Sequence, residues 1–430
     1  MKIRFVITIL HIGFISISLR AGEYTLTDCE QLAVDNNYEI KNSRLEMDDA
    51  IQSRKEAFTN YFPTVEGVGT YFNSDKKLLK TNLGLPGLLP QPIPFSLVKS
   101  GTMGGVMAFQ PIFVGGRIVN SNRLAKVGED VSKLQLQLTE DEVVYQTNVY
   151  FWQIVNLTEK LETISVIENM LQNLKKDVDM AVQAGVKTRN ELLRVELKIH
   201  ETESNRLTVG NSLEVSKMLL AQFIGVDTEN FNIDYTFDGE LFHPQNLFRD
   251  PDDAVMNRYE TKLLEESVNA ARLKTKFYSG ERLPSVCIGG GYIHNGLMNK
   301  PVNAGVIYAS VSVPVSGWWS GAHARKRGKI SELKAENEMV NSIELMTVEI
   351  NNVWNEVVES YEQILIAEKS ILSSQENLRI VNNSYNAVTV PLSELLDAQV
   401  LYQQSRNQYS NAFSEYKMRI LKYIQITKEN

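Results

Sequence analysis

The chain has 430 residues and a mass of 48.7 kDa, which suggests two or three domains or one large repeated unit. Its 44 Lys and Arg against 52 Asp and Glu give a net charge of −8, and this argues against a nucleic-acid-binding protein, which would need a basic surface. Two cysteines are too few for a disulfide framework or a four-cysteine zinc site.

Residues 1–21 have the pattern of a signal peptide for export. Lys2 and Arg4 precede a mostly apolar run over 5–19, and small residues follow it. We expect cleavage between positions 18 and 22. A buried helix or a membrane anchor is the alternative, but the run is shorter than the ~20 residues that a spanning helix needs.

The remaining chain contains an internal duplication. Residues 33–65 match residues 254–286 at ten of 33 ungapped positions, an offset of 221. Further along the offset is 203, and there residues 191–193 match residues 394–396. One deletion between Pro284 and Pro314 accounts for the change of offset. Chance similarity between helical stretches would not stay in step for a half-chain, so we predict two copies of one unit.

The first repeat spans 22–224, and its periodicity changes in a fixed order. It predicts a helix, two strands and two long helices, at about 28–60, 64–74, 101–113, 117–183 and 189–224. Pro63 ends the first helix. Between the strands, a loop over 76–100 is expected from its prolines, Pro86, Pro90, Pro92 and Pro94.

A linker over 225–250 separates the repeats, and its alternating apolar residues from Phe231 to Phe237 predict a short strand. The second repeat spans 251–430 and has the same order of elements. Its helix, two strands and two long helices are predicted at about 251–279, 285–294, 305–316, 320–386 and 392–427.

The long helices carry an apolar residue at every seventh position. In the second repeat these are Ile343, Ile350, Val357, Ile364, Ile371, Leu378 and Tyr385, then Leu395, Tyr402, Tyr409, Tyr416 and Tyr423. A sustained period of seven predicts coiled-coil packing. The helix over 117–183 would be ~100 Å long at ~1.5 Å per residue. Each repeat is therefore predicted to be a strand hairpin at one end and a helical hairpin at the other.

The strands have the length and alternation of strands that cross a bilayer, about ten residues. In the last of them Ile307, Ala309 and Val311 share one face. A soluble sandwich is the alternative, which the long helices disfavour because they could not share its core. A barrel needs roughly eight strands, so four spanning strands require oligomerisation. Two copies would supply eight strands and three would supply twelve.

Four segments accompany this order of elements. They are Tyr61-Phe62-Pro63, Pro111-Ile112-Phe113-Val114-Gly115-Gly116, Ala184-Gly185-Val186-Lys187-Thr188 and Tyr385 through Asp397. Taken together, the order and the segments resemble the TolC-type outer-membrane efflux proteins over essentially the whole mature chain. No single motif is diagnostic, but the combination is specific.

The resemblance implies an α+β membrane protein. Three copies would form a 12-stranded outer-membrane β-barrel, continuous with a periplasmic α-helical tunnel whose equatorial segment is the linker. It implies a homotrimer in outer-membrane lipid that docks on a periplasmic adaptor (membrane fusion) protein and an inner-membrane transporter. The chain would be a passive exit duct for small molecules in a tripartite efflux pump. The duct of a type I protein secretion system is the alternative.

The same resemblance implies an acidic ring where the tunnel narrows. Glu394 and Asp397 match the family's two acidic residues three apart, a spacing that places both on one helix face. Ordinary solvated acids at a helix start are the alternative. Tyr385 lies at the position of a latch tyrosine, although it also ends the heptad stripe. Glu191 lies where the other helix pair supplies an acidic latch partner. Val390 replaces the latch arginine of a well-known member, so Arg189 of the other tip is the candidate substitute.

Two further sets of positions are implied. The helix-tip turns match the adaptor-docking positions, and these are Gly185, Val186, Lys187, Thr188, Val388, Thr389, Val390 and Pro391. Closing a helical hairpin is a second role for the same residues. Trp318 and Trp319 follow the last strand, where tryptophan suits a membrane interface. The basic residues over 323–327 suit lipid head groups or a solvated helix start.

No catalytic, cofactor-binding or metal-binding pattern is present. The histidines are scattered, without an HExxH pair or a carboxylate spacing for a metal. We therefore expect neither an enzyme nor a cofactor. A periplasmic coiled-coil structural or adaptor protein without a pore is the competing class, which the two strand pairs disfavour.

Overall fold

The computed structural model describes residues 23–76, 79–83, 93–97, 100–229, 231–237, 241–296 and 301–428. The predicted signal peptide lies outside these ranges, as do three of the four prolines of the predicted loop, Pro86, Pro90 and Pro92.

The elements of the two halves follow the same order, apart from two short strands in the first half and a 3-10 turn in the second. The first half contains β1 (Glu23–Tyr24), α1 (Leu26–Asn36), α2 (Tyr38–Thr59), β2 (Thr64–Asn73), β3 (Leu79–Leu83), β4 (Ile93–Leu97), β5 (Ser100–Val114), α3 (Arg117–Gln183) and α4 (Arg189–Ile224). The second contains β6 (Asn232–Ile233), a 3-10 turn (Pro244–Leu247), α5 (Pro251–Asn257), α6 (Tyr259–Gly280), β7 (Ser285–Asn295), β8 (Val302–Ser312), α7 (Gly317–Asn386) and α8 (Leu392–Thr427). Both ends of α8 lie 203 residues after those of α4.

The helix expected over 28–60 is two helices, because Asn37 has extended backbone with φ −60° and ψ 137°. Its side-chain amide donates to the carbonyl of Phe223 at 3.1 Å, a bond that a continuous helix would not position. Arg258 lies 221 residues later and interrupts the second repeat in the same way, with φ −63° and ψ 144°. Its guanidinium pairs with Glu260 at 2.7 Å.

The segment expected to be a loop over 76–100 contains a short antiparallel strand pair, β3 and β4. The pairing satisfies backbone groups that a loop would leave to solvent. Pro94 pairs opposite Asn82, and a two-stranded ribbon tolerates proline because both of its strands are edges. The strand expected over 231–237 is only the two residues of β6, which pair in parallel with β1.

The four longer strands form one antiparallel sheet in the order β2–β5–β7–β8. Ser285 of β7 pairs with Ser312 of β8, and a β-bulge between Pro111 and Phe113 shifts the register of β5 against β7. Among the described residues β2 and β8 each pair with one strand of this sheet, so the sheet is open at both edges.

One face of this sheet is apolar and exposed in the single chain. Its exposed members are Val65, Val106, Ile288, Tyr292, Ile307 and Val311. Pairing of Val106 with Tyr292 and of Ile307 with Gly290 places these side chains on the same side. Ile307 is 93% exposed, an unfavourable state for an isoleucine in water.

Contacts divide the chain into two compact units. The tip unit consists of the described residues of Met1–Lys41, Leu138–Val255 and Thr347–Glu429, and the strand unit consists of those of Asn42–Gln137 and Met256–Met346. Each unit draws residues from both repeats, so neither repeat is a compact unit by itself. Among the described residues, no helix is long and apolar enough to cross a membrane.

Tyrosines of the predicted heptad stripe fix the linker within the tip unit. The Tyr416 hydroxyl donates to the carbonyl of Phe242, and burial raises the pKa of Tyr416 to about 12. The Tyr423 hydroxyl accepts from the backbone N–H of Arg249 at 2.9 Å. Phe237 packs on Phe413 with ring centroids 4.7 Å apart. The linker is therefore bound to α8 by both polar and aromatic contacts.

Candidate functional site

The turns that follow α3 and α7 are two copies of one helix-ending motif. After α3, Gly185 has φ +74°, the N–H of Gly185 bonds the Val182 carbonyl, and the N–H of Val186 bonds the Ala181 carbonyl. After α7, Val388 has φ +60° and makes the equivalent bond to the carbonyl of Tyr385. Both are Schellman turns, which normally place glycine in the left-handed residue.

The second turn departs from the first by placing a β-branched residue in left-handed backbone. This conformation costs roughly 1–2 kcal/mol for a residue with a Cβ. Thr389 offsets part of that cost, because its backbone N–H and its hydroxyl both donate to the Ser384 carbonyl at 2.9 Å. This turn contains no glycine, and Val388 is the residue that takes the strained left-handed conformation.

Beneath the turns, the two helical hairpins share one apolar core. Its buried members are Ile167, Leu171, Leu174, Val178, Val195, Ile199, Leu378, Tyr385, Leu392, Leu395, Ala398 and Tyr402. These residues come from α3, α4, α7 and α8, so the two tips are held together by packing. Val390, which the resemblance matches to the latch arginine of a well-known member, packs against this core.

Tyr385 is 6% exposed and belongs to that core. The Lys187 ammonium nitrogen lies 3.5 Å from the centroid of the Tyr385 ring and 4.0 Å from a carboxylate oxygen of Glu191. The Tyr385 hydroxyl is buried and has no hydrogen-bond partner in the described chain. Two predicted latch residues are thus joined within one chain through Lys187, a link that sequence spacing does not indicate. Their role as a latch stays a prediction.

Arg189 is exposed and forms no ion pair within the described ranges. Its neighbour Thr188 is the N-cap of α4, where the hydroxyl accepts from the backbone N–H of Glu191 at 3.4 Å. At the equivalent start of α8, Pro391 is the N-cap and gives no side-chain bond. Val186 and Val388 are exposed at the two turns. The predicted docking turns therefore each present an apolar side chain to solvent.

Glu394 and Asp397 are both exposed, whereas Leu395 and Ala398 between and beyond them are buried. The two carboxylates therefore lie on the outward face of α8 while its other face fills the tip core. Neither forms an ion pair within the described ranges. Their role in an acidic ring stays a prediction.

Aromatic side chains surround the helix-side ends of the strands. Trp318 and Trp319 at the start of α7 are exposed, Trp319 by 80%, and the Trp318 indole N–H donates to the Arg282 carbonyl at 3.2 Å. Other exposed aromatic residues at this end of the sheet are Phe58, Tyr61, Phe62 and Phe113. The sequence pattern predicts an interface belt only at the tryptophans. A count of aromatic residues within six positions of each predicted strand end would have found the others.

Among the described residues, no group of three or more His, Cys, Asp or Glu side chains is placed to hold a metal ion. Cys29 is buried in α1, and burial raises the pKa of its thiol to about 12. Its thiol is therefore protonated at neutral pH and unreactive.

No protein-family model matches the sequence, and no curated protein matches it. Solved structures do match. The Campylobacter jejuni CmeC outer membrane channel has a TM-score of 0.77 at 16% identity, over 94% of this chain and 85% of that one. The Vibrio cholerae outer membrane protein VceC has a TM-score of 0.74 at 12% identity, over 94% and 96%. The open state of the Neisseria gonorrhoeae MtrE outer membrane channel has 0.74 at 14%, over 94% and 88%.

This chain has the fold of these outer-membrane channels. The likeness covers 94% of its length, so it includes both repeats and the linker. Identity of 12 to 16% explains why sequence comparison alone finds no relative. The predicted resemblance to the TolC-type proteins is confirmed at the level of the fold.

Proposed function

We propose that this protein is the outer-membrane exit duct of a tripartite efflux pump. Three copies form a 12-stranded barrel in outer-membrane lipid, and their long helices form a periplasmic tunnel. The duct is passive and exports small molecules when it is docked to a periplasmic adaptor and an inner-membrane transporter. The energy comes from that transporter.

The open four-stranded sheet is the observation that carries this proposal. Its strands are 10 to 15 residues long and its exposed face is apolar, as lipid contact requires. Edges left unpaired in lipid would leave backbone groups without partners, at a cost of several kcal/mol each. Pairing of β8 of one copy with β2 of the next removes every edge. Three copies are proposed because the resemblance to the TolC-type proteins implies a trimer, in which three four-stranded sheets supply twelve strands.

A duct needs a constriction, and the exposed face of α8 supports one at Glu394 and Asp397. Threefold symmetry repeats the pair as six carboxylates around one axis. Such a ring attracts cations and repels anions. Exposed Val186 and Val388 on the neighbouring turns support an adaptor that contacts the tips through apolar side chains.

The first test is where the protein goes and whether it conducts. The mature protein should fractionate with the outer membrane as an oligomer that resists detergent and dissociates on heating. In planar bilayers it should give small, cation-selective currents. Recovery only in the soluble periplasmic fraction would overturn the proposal in favour of a structural coiled-coil protein.

The second test removes the ring charge while keeping side-chain shape. Glu394→Gln/Asp397→Asn should lower the preference for cations or raise the conductance. The matched control is Glu359→Gln/Glu362→Gln, an exposed pair with the same spacing on α7. It lies more than 20 residues before Tyr385, so about 35 Å from the tip along the helix. Equal effects of both variants would remove the ring from the proposal and leave the duct.

A further inference from the structure

A cavity lies between α6 and the first part of α7, within the strand unit. Its charged lining consists of Lys274, Arg282 and Arg327, opposed by Glu281 alone. Three cations against one carboxylate leave a net charge of +2 on the lining. The cavity volume of about 460 Å³ lies in the ~300–1,000 Å³ range of small-ligand sites.

The three cations are unpaired. Within the described ranges, none of them forms an ion pair, although a neighbouring cation does: Arg272, two residues before Lys274, binds Glu336 at 2.6 Å. Lys274 and Arg327 are exposed and Arg282 is half-buried. Unpaired cations that converge on one concavity repel each other, and an anion placed between them removes that repulsion.

Arg282 is held in position. One of its guanidinium nitrogens donates to the Tyr278 carbonyl at 3.0 Å, and its carbonyl accepts from the Trp318 indole. A Cβ at Gly321 would lie 3.0 Å from Arg282 Cδ. The aliphatic part of the arginine side chain can therefore pack against α7 because residue 321 has no side chain. A fixed arginine binds an anion at a smaller entropic cost than a mobile one.

The surroundings select among anions. The exposed Trp318 bonds the backbone of the cavity residue Arg282, and exposed Trp319 follows it in the chain. The strands β7 and β8, which flank this region in the chain, carry exposed apolar residues such as Ile288 and Ile307. Free phosphate has no apolar part that could contact aromatic rings or an apolar surface. A phospholipid uses both, because its phosphate meets the cations while its acyl chains lie along the sheet.

We infer that this cavity binds the head group of an anionic phospholipid. The inference rests on the proposed outer-membrane location, and it adds a lipid class and a specific site. The bound lipid joins the end of α6 to the start of α7 at the membrane surface.

The experiment uses the purified mature protein in neutral detergent. The bound lipid is counted by native mass spectrometry after addition of a phosphatidylglycerol, a phosphatidylcholine with the same acyl chains, or 10 mM inorganic phosphate. The variant is Lys274→Gln/Arg327→Gln, which removes two exposed cations of the cavity. The matched control is Lys276→Gln/Lys334→Gln, which removes one exposed cation of α6 and one of α7 that do not line it.

Phosphatidylglycerol should bind the wild type and the control alike, and should bind the cavity variant roughly 10- to 30-fold more weakly. Equal binding by the cavity variant and the control would overturn the inference. Equal binding of phosphatidylcholine, or full displacement of phosphatidylglycerol by phosphate, would overturn it as well. Failure here would leave outer-membrane fractionation and conductance intact. Failure of the proposed function would show in those measurements, whatever the detergent-solubilised protein binds.

Discussion

The ammonium nitrogen of Lys187 lies 3.5 Å from the ring centroid of Tyr385, and this contact joins the turn after α3 to the last helical turn of α7. The two residues are 198 positions apart in the sequence. The lysine is mostly shielded from solvent, with its side chain 16% exposed, so the attraction between cation and ring is stronger than on an open surface. The two helical hairpins of one chain are therefore joined at their tips.

Lys187→Met should lower the free energy of unfolding of the tip unit by about 0.5–2 kcal/mol, because it keeps the side-chain length and removes the cation over the ring. Thermal or denaturant unfolding of the purified protein measures the loss. Lys198→Met on the same hairpin is the control, since among the described residues the ion-pair partner of Lys198 is the exposed Glu201. An equally large loss in that control would show that the ring contact is not what stabilises the tip.

Tyr385→Phe should leave the free energy of unfolding within about 0.5 kcal/mol of the wild type, because the hydroxyl has no partner to lose among the described residues. Tyr385→Ala should cost about 3–5 kcal/mol through the cavity it creates. Conductance of the phenylalanine variant tests the predicted latch. Wild-type stability with raised conductance would mean that the hydroxyl acts between copies of the chain.

Val388→Gly should stabilise the protein by about 1 kcal/mol, since glycine adopts the left-handed backbone of this turn without strain. The matched change in the other repeat is Gly185→Val, where a Cβ would meet nothing within 4 Å. We expect that variant to lose a similar amount for conformational reasons alone. Unfolding midpoints of the two variants should therefore move in opposite directions, and a shared direction would contradict the assignment of strain.

Gly291→Ala should disrupt the pairing of β5 with β7, because the added Cβ would lie 2.1 Å from the carbonyl oxygen of Val106. Backbone atoms cannot move aside as a flexible side chain can. Gly69→Ala in β2 is the control, where a Cβ has open space. The yield of oligomer in the outer-membrane fraction should fall sharply for position 291 and stay near wild type for position 69. Equal yields would argue against a close approach of the strands at Gly291.

Glu129 makes stability depend on pH in the acid range. It is 5% exposed, and its bonds from Lys133 at 2.5 Å and Arg54 at 2.7 Å lower the pKa of its carboxyl from 4.5 to about 2. A lowered folded-state pKa stabilises the fold above pH 4.5, and this contribution is lost as pH falls toward 2. Glu129→Gln should lower the melting temperature at pH 7 and change it little near pH 2. Asp130→Asn, at a less buried neighbour, should have a small effect at both pH values.

Periodicity predicted the long helices because a heptad stripe and a flanking turn are local signals. The bounds 117–183 and 189–224 could be predicted from Gly185 and the change of pattern beside it. Duplication then supported the second hairpin, since the Glu191 region recurs at Glu394. The paired strands followed from alternation and from Pro63 and its repeat, Pro284.

Features that depend on distant parts of the chain were not predictable. Asn37 interrupts a helix because it bonds a carbonyl 186 residues away, and nothing in its own segment indicates this. In the sequence, Lys187 cannot be distinguished from an ordinary turn residue. Only the fold brings its side chain against the ring of Tyr385. The strand pair β3–β4 lies among prolines that locally predict a loop. In each case a long-range contact overrides the local preference.

The two open edges of the sheet make a single folded chain prone to aggregation. β2 and β8 present unpaired N–H and C=O groups beside an apolar face, an arrangement that templates strand addition by any chain nearby. Copies whose edge strands pair in water before correct assembly would join in the wrong register and aggregate. The rate of synthesis therefore sets an upper limit on how much protein matures. Above that limit, additional expression should produce insoluble aggregates instead of assembled protein.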